Sequence, residues 1–513
     1  MTVAELIDNQ ATLGDHLAYA VGRVDGEGSS GYGSPERPGT TLSYAQLAEA
    51  TRPWRELAEQ HLAAGHRAVL QIADPLAFIV AFLGLLAGGT TVLPLDANAP
   101  AEGRRRLVDL LGGDVLVTDR EAEDQVPVWR IGQGGQAPEA PAPVAQTPRR
   151  APLEPRPALI LSSSGTTGTP KVIPLGDRQL LYVAAKIAEH HKLNGEERGY
   201  CPLPLFHVNA EVVGLLSTLV AGSSLVVDAK FHRTGFWELV DHWGVTWINA
   251  VPAVLAILAR SETPSPEVAG RVRFARSASA PLPIPVLEQF EERTGVPIVE
   301  TYGMTEAAAQ ITSNPIPPRP HRPGSPGLPV GVEVRVVDAK GRECPTGTVG
   351  SVEIKGPSVI THYIVPSGHG ERLRPARERS GWLRTGDIGH LDEDGYVFLA
   401  GRADDVINRG GEKVYPRPIE DVLRLSGNVL DVAVIGQDDP ILGQCPVAYL
   451  IPTPAADLEG LEAELRQLAV SRLGPPHRPV GYHARESLPA GPTGKVNRKK
   501  LRQLVEEEAA AAR

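Results

Sequence analysis

Four times between residues 158 and 306, a short apolar run breaks off into a loop of small residues, hydroxyls or proline. Ala158–Leu161 runs into Ser162-Ser-Ser-Gly-Thr-Thr-Gly-Thr-Pro-Lys171. Val245–Ala250 runs into Val251-Pro252, and Val272–Ala275 into Ser277-Ala-Ser-Ala-Pro281. Pro297–Glu300 runs into Thr301-Tyr-Gly-Met-Thr-Glu306. Runs this short and this apolar read as strands buried on both faces. Helix-length patterns lie between them, such as Ile284–Arg293 with Gly295 past its end. Upstream, Ala68–Ile72, Thr91–Leu95 and Asp114–Thr118 repeat the alternation, with an apolar helix at Leu76–Ala87. This predicts an α/β chain of layered parallel sheets. Ligands of such sheets sit beyond the carboxyl ends of the strands, so the four loops are expected at one cleft.

At 513 residues the chain is too long for one core. Ser43 and Gln46 form a capping-box pattern that starts a helix, Pro53 is expected to bend or interrupt it, and Gly65 is a stop signal. Residues 133–157, rich in Pro, Ala, Gln and Arg, read as a surface linker. From Pro326 to Phe398 the texture shifts to short alternating strands with Gly turns, which predicts a small antiparallel part. After Gly401-Arg402 it shifts again: helix at Pro416–Leu425, strands at Val429–Ile435 and Val447–Ile451, then helices. We therefore expect a large N-terminal domain over 1–402, with a β-rich subdomain at about 326–402. A small α+β C-terminal domain is expected over 403–513.

The formal charge of −10, from 51 basic and 61 acidic residues, gives no footing for nucleic acid or a membrane surface. The apolar run from Pro75 to Ala97 contains Gly88-Gly89 and Pro94, and reads as helix, turn and strand rather than a membrane span. Cys201, Cys344 and Cys445 are too scattered for a metal or a disulfide framework, and the start carries no leader pattern. A cytoplasmic protein is expected. The basic residues divide into 41 Arg and 10 Lys, so each Lys merits attention, because an ammonium is a point charge that guanidinium does not replace.

Ser162–Lys171 packs three Ser, three Thr and two Gly before a Lys. Small residues let backbone approach a ligand, and N–H groups and hydroxyls can surround phosphate oxygens. It is not a Walker loop, since Lys171 does not directly follow Gly and is followed by Val172. Ser163-Ser-Gly-Thr-Thr-Gly-Thr-Pro-Lys171 resembles the phosphate loop of the adenylate-forming enzymes: acyl-CoA synthetases, luciferases and adenylation domains. Further segments resemble that family's motifs in its order: Pro204-Leu-Phe-His207, Thr301–Glu306, Arg384-Thr-Gly-Asp387, Gly401-Arg402 with Asp404, Asn408-Arg-Gly-Gly-Glu-Lys413 and Pro492-Thr-Gly-Lys495. Each residue alone reads as a solvated charge, a turn or packing. The ordered set carries the resemblance over nearly the whole chain, closest to the oxalate–CoA ligase branch.

The resemblance implies that a carboxylate attacks the α-phosphate of ATP, giving an acyl-adenylate and pyrophosphate, and that CoA then displaces AMP. Such transfers need charge neutralisation and alignment. By resemblance Ser163, Ser164, Thr166, Thr167 and Lys171 would hold the β- and γ-phosphates, Thr305 the α-phosphate, and Glu306 a Mg²⁺ ion. Tyr302 and Gly303 would flank adenine on one side and Ser279, Ala280 and Pro281 on the other. Asp387 and Arg402 would bind ribose. Lys495 would bridge the attacking carboxylate and the α-phosphate. The C-terminal domain would rotate about Asp404, bringing either Lys495 or Arg409, Gly410, Gly411 and Lys413 to the site. His207 is either a substrate contact or a packing residue.

The chain also departs from the pattern. Oxalate-activating relatives have His where Ala309 stands, and malonate-activating ones Arg where Thr301 stands. That disfavours a second carboxylate and favours a small monocarboxylic acid. The Arg-rich stretch His362–Arg379 replaces a usual Asn-Pro-rich run. Other acceptors fit the same fold: an amine, a carrier protein, or an arylamine if the activated acid is nitrite.

Overall fold

The computed structural model describes residues 1–23, 40–62, 64–163, 171–367, 370–454, 456–490 and 496–511, without the side chains of Gln133, Ser163, Ser367, Gly370 and 509–511. It is α/β: a large N-terminal domain of layered, mostly parallel sheets with helices and a small β subdomain, followed by a small α+β C-terminal domain.

One sheet has nine strands, in the order Leu328–Pro329, Thr312–Ser313, Ile298–Tyr302, Phe274–Ser277, Trp247–Ala250, Arg198–Cys201, Ser224–Val227, Leu17–Val21 and Thr41–Ser43. A second has eight, running from Gly370–Pro375 and His362–Ser367 through Lys171–Leu175, Leu159–Ser163, Thr91–Pro94, Arg67–Gln71 and Val115–Thr118 to Val128–Arg130. The strand that precedes the Ser/Thr/Gly loop thus lies in one sheet, and the other three loop-bearing strands lie in the other. The four loops therefore come from two sheets rather than one.

One large core joins the two sheets, drawing on Phe274 and Val299 from one and Leu161 and Ile173 from the other. The helix Pro75–Ala87 contributes Leu76 to Leu86, buried all round, as its unbroken apolar sequence requires. Asp74 caps it, accepting from the Ala77 N–H at 2.7 Å. The capping box at Ser43 and Gln46 forms, but Pro53 does not interrupt the helix, which runs Tyr44–His61. Pro53 and Glu49 are both exposed, so the carbonyl that Pro53 leaves free can face water.

A four-stranded antiparallel sheet joins Glu333–Val337, Gly350–Lys355, Leu383–Leu391 and Val397–Arg402. Between its second and third strands the chain leaves it, forms the hairpin His362–Ser367 with Gly370–Pro375, and extends the eight-stranded sheet. Beyond residue 406 a five-stranded sheet with its own core, including Ile419, Val434 and Leu465, completes the chain. Among the described residues no helix is long and apolar enough to cross a membrane.

Candidate active site

The strand Ile298–Tyr302 delivers Tyr302 and then the short helical turn Thr305–Ala307. Gly303 is required between them, because a Cβ there would lie 1.5 Å from the Ala309 carbonyl oxygen. The turn buries Glu306, whose carbonyl accepts from the Ile360 N–H at 2.9 Å. Its carboxylate receives the Tyr363 hydroxyl at 3.1 Å and stands 3.9 Å from the Lys171 ammonium. Lys171 opens the strand that follows the Ser/Thr/Gly loop. Burial, then the neighbouring Glu306 charge, pushes the Tyr363 phenol up, so Tyr363 stays a proton donor.

Asp387 lies beside this group. One carboxylate oxygen accepts from Arg402 Nη1 at 3.0 Å, and the other accepts a short hydrogen bond from the Tyr302 hydroxyl. Arg402 also donates to the Thr385 carbonyl at 3.1 Å. Gly386, at φ 80°, leaves room for the guanidinium, which a Cβ would meet at 2.7 Å. The structure therefore joins Lys171, Tyr302, Glu306, Asp387 and Arg402, which come from separated segments, and adds Tyr363, which the sequence reading missed. Among the described residues no group of three or more His, Cys, Asp or Glu could cage a metal. Mg²⁺ is held by one or two carboxylates with substrate phosphates and water, and Glu306 beside Lys171 offers such an oxygen.

Deeper between the sheets lies a polar cluster that the sequence reading did not find. Arg276, fully buried in the strand Phe274–Ser277, donates to Asn209 Oδ1 at 3.0 Å, Asn249 Oδ1 at 3.1 Å and Gln310 Oε1 at 3.1 Å. Asn209 Nδ2 reaches Ser279 Oγ at 3.3 Å, which ties the cluster to the Ser279–Pro281 loop. Ser279 sits at φ 69°, a left-handed conformation unusual for a non-glycine residue. Among the described residues no carboxylate pairs with Arg276, and its Nε has no partner. Burial pulls its guanidinium down to about 9. His207 Nε2 and Gln310 Nε2 are likewise buried without partners. The His207 ring packs on Phe206, with centroids 4.3 Å apart, and burial lowers its pKa. The signal for the cluster was present: Asn249 and Arg276 are polar residues in or at the end of apolar runs, and the predicted strand stopped at Ala275.

Ser163 lies at a strand end, paired in register with Lys171. Its side chain, and Ser164, Thr166, Thr167 and Lys495, lie outside the described residues. Gly410 and Gly411 form the turn of a hairpin, at φ 59° and 90°. Arg409 there donates to the Pro475 and Pro476 carbonyls at 2.8 Å, and Lys413 is exposed. The described hydrogen bonds and ion pairs do not join this hairpin to the Lys171–Asp387 group. Next to Asp404, Asp405 pairs with Arg502 at 2.9 Å and Arg498 at 3.6 Å.

The family model for AMP-binding enzymes matches residues 26–364, and that for the AMP-binding enzyme C-terminal domain matches 418–495. The chain belongs to the AMP-binding enzyme family. Sulfoacetate–CoA ligase of Cupriavidus necator is 36% identical over 479 residues, covering 90% of this chain and 92% of that protein. Oxalate–CoA ligase of Arabidopsis thaliana is 35% identical, covering 67% of each chain. The ATP-bound crystal structure of MatB from Rhodopseudomonas palustris superposes with a TM-score of 0.82 at 26% identity, covering 98% of this chain and 99% of that one. This AMP-binding enzyme is accordingly an ATP-dependent, AMP-forming ligase of the acyl-CoA synthetase type. It works through an acyl-adenylate with ATP, Mg²⁺ and CoA.

Proposed function

We propose that this enzyme activates a small monocarboxylic acid whose far end is polar or anionic, and passes the acyl group to CoA. Arg276 carries the reading. A buried guanidinium bound only to amide oxygens, with its Nε–H unpartnered, is costly unless a ligand completes it. The Cupriavidus relative's name agrees, since sulfoacetate has one carboxylate to activate and a sulfonate at its other end. Thr301 and Ala309 add no charge for a second carboxylate.

Residue roles follow from the contacts and the resemblance. A carboxylate oxygen forms a bond to the α-phosphorus while the bond to pyrophosphate breaks. Lys171, with the Ser163–Thr167 loop, balances charge on the terminal phosphates, and Thr305 donates to the α-phosphate. Mg²⁺, held at Glu306, would neutralise phosphate charge. Asp387 and Arg402 give up part of their mutual bonding to the ribose hydroxyls, and Tyr302 with Ser279–Pro281 flanks the base. Lys495 stabilises charge as the adenylate forms. Residues 403–513 act as a lid whose rotation exchanges Lys495 for the Arg409–Lys413 hairpin, where glycines let the thiol arm of CoA pass. The thiol then attacks the acyl carbonyl and AMP leaves. The scattered, unpaired cysteines fit a cytoplasmic setting.

The test is acyl-CoA formation, read by product mass, over short acids with sulfonate, hydroxyl, carboxylate or methyl far ends. Turnover should be highest with a polar, non-carboxylate far end. Equal or better turnover with methyl-ended acids would overturn the reading.

A further inference from the structure

The hairpin His362–Ser367 with Gly370–Pro375 carries the Arg-rich stretch of the sequence, and the ladder register fixes what it presents. Tyr363 pairs with Arg374, Val365 with Arg372 and Ile364 with Leu373. Ile364 in turn pairs with Val172 of the strand Lys171–Leu175. Side chains alternate between sheet faces, so Lys171, Tyr363, Arg372 and Arg374 share one face. Glu371 lies on the other face and grips Arg67 through two 2.7 Å bonds, with both side chains almost fully buried. That pair pins the hairpin from behind.

On the front face two cations meet one ring. Lys171 Nζ lies 5.3 Å from the Tyr363 ring centroid, and the Arg374 guanidinium carbon lies 5.2 Å from it. The same Tyr363 donates to Glu306. Arg374 is exposed, and among the described residues no carboxylate pairs with it. Arg377, by contrast, is spent on the backbone carbonyls of Gly356, Val359 and Ile360. The hairpin thus brings an unpaired guanidinium fork beside the Lys171–Glu306 pair.

We propose that Arg374 contacts the terminal phosphates of ATP and the departing pyrophosphate, as a second cation beside Lys171. The inference rests on the reading that those phosphates lie at Lys171 and Glu306. A guanidinium fork suits two phosphate oxygens at once, which an ammonium does not. Its charge matters most as the phosphorus–oxygen bond breaks and negative charge collects on pyrophosphate.

The test measures wild type, Arg374→Gln and Arg374→Lys in acid-dependent ATP–pyrophosphate exchange, together with equilibrium binding of AMP. Arg374→Gln should raise KM for ATP and for pyrophosphate about tenfold. Its AMP affinity and its KM for the acid should stay unchanged, because neither ligand carries the terminal phosphates. Arg374→Lys should fall between. Unchanged KM values for ATP and pyrophosphate in Arg374→Gln, or an equal loss for AMP and acid, would overturn the proposal and leave a stacking role only. Absence of acid-dependent exchange in the wild type would instead overturn the underlying site reading.

Discussion

The two ends of the cleft handle charge in opposite ways. At the nucleotide end both carboxylates already have partners: Glu306 has Tyr363 and Lys171, and Asp387 has Arg402 and Tyr302. At the inner end Arg276, Gln310 and His207 each keep a buried polar atom unpartnered. Two residues along from Asn209, Glu211 is buried with both carboxylate oxygens bare, and burial holds its pKa well above the usual range. Partnered groups keep their geometry without a ligand. Unpartnered ones cost stability until something fills the site. With the proposed roles, the nucleotide end is ready before its ligand arrives and the inner end is selective for what completes it.

Substitutions should separate the ends. Asp387→Ala removes the acceptor that links Arg402 and Tyr302, and should lower kcat/KM for ATP about 100-fold with little change in KM for the acid. Varying each substrate in turn checks this, and equal losses for both would erase the distinction. Arg276→Met should cut kcat/KM for anionic-ended acids about 30-fold, improve it for methyl-ended acids, and leave KM for ATP within twofold. A uniform loss across the acid series would place Arg276 outside substrate selection.

Glu300 extends the comparison beyond the cleft. It is buried, with one oxygen held only by the Leu282 N–H at 3.5 Å and the other unpartnered. Burial lifts its carboxyl from 4.5 to about 7, against the lowering effect of Arg417, while Asp421 raises it further. Between pH 4.5 and about 7 the folded chain holds a proton that the unfolded chain has lost. Stability from this group therefore falls as pH rises through that window. Glu300→Gln should add about 1 kcal/mol, a few degrees in Tm, at pH 8 and nothing near pH 4.5. Melting curves at both pH values check it, and a pH-independent gain would show that the charge is not the cause. Arg466→Ala is expected to be the mildest: it loses an exposed pair to Glu462 one helical turn away, and should change stability by under about 0.5 kcal/mol in the same melts.

The sequence singled out Lys171, Tyr302, Glu306, Asp387 and Arg402, which the structure joins, because they sit in short contiguous motifs such as Thr301–Glu306 and Arg384–Asp387. The strands it named fell within a few residues of their places, because apolar runs and glycine breaks are local signals. The inner end resisted for a physical reason. Asn209, Asn249, Arg276 and Gln310 come from four segments, and only packing between strands and a helix makes them one cluster. Tyr363 and Arg374 were hidden likewise: a departure from a family pattern is visible in sequence, but the cross-strand register that aims them at Lys171 is not. Pro53 does not interrupt its helix, and local rules cannot see which side of a helix faces water.

A crystal structure with a bound acyl-adenylate tests the central claim most directly. The account predicts adenosine held by Tyr302, Asp387 and Arg402, with the far end of the acyl group within hydrogen-bonding distance of Arg276 Nε. An acyl group that ends elsewhere, with Arg276 still bound only to Asn209, Asn249 and Gln310, would contradict it.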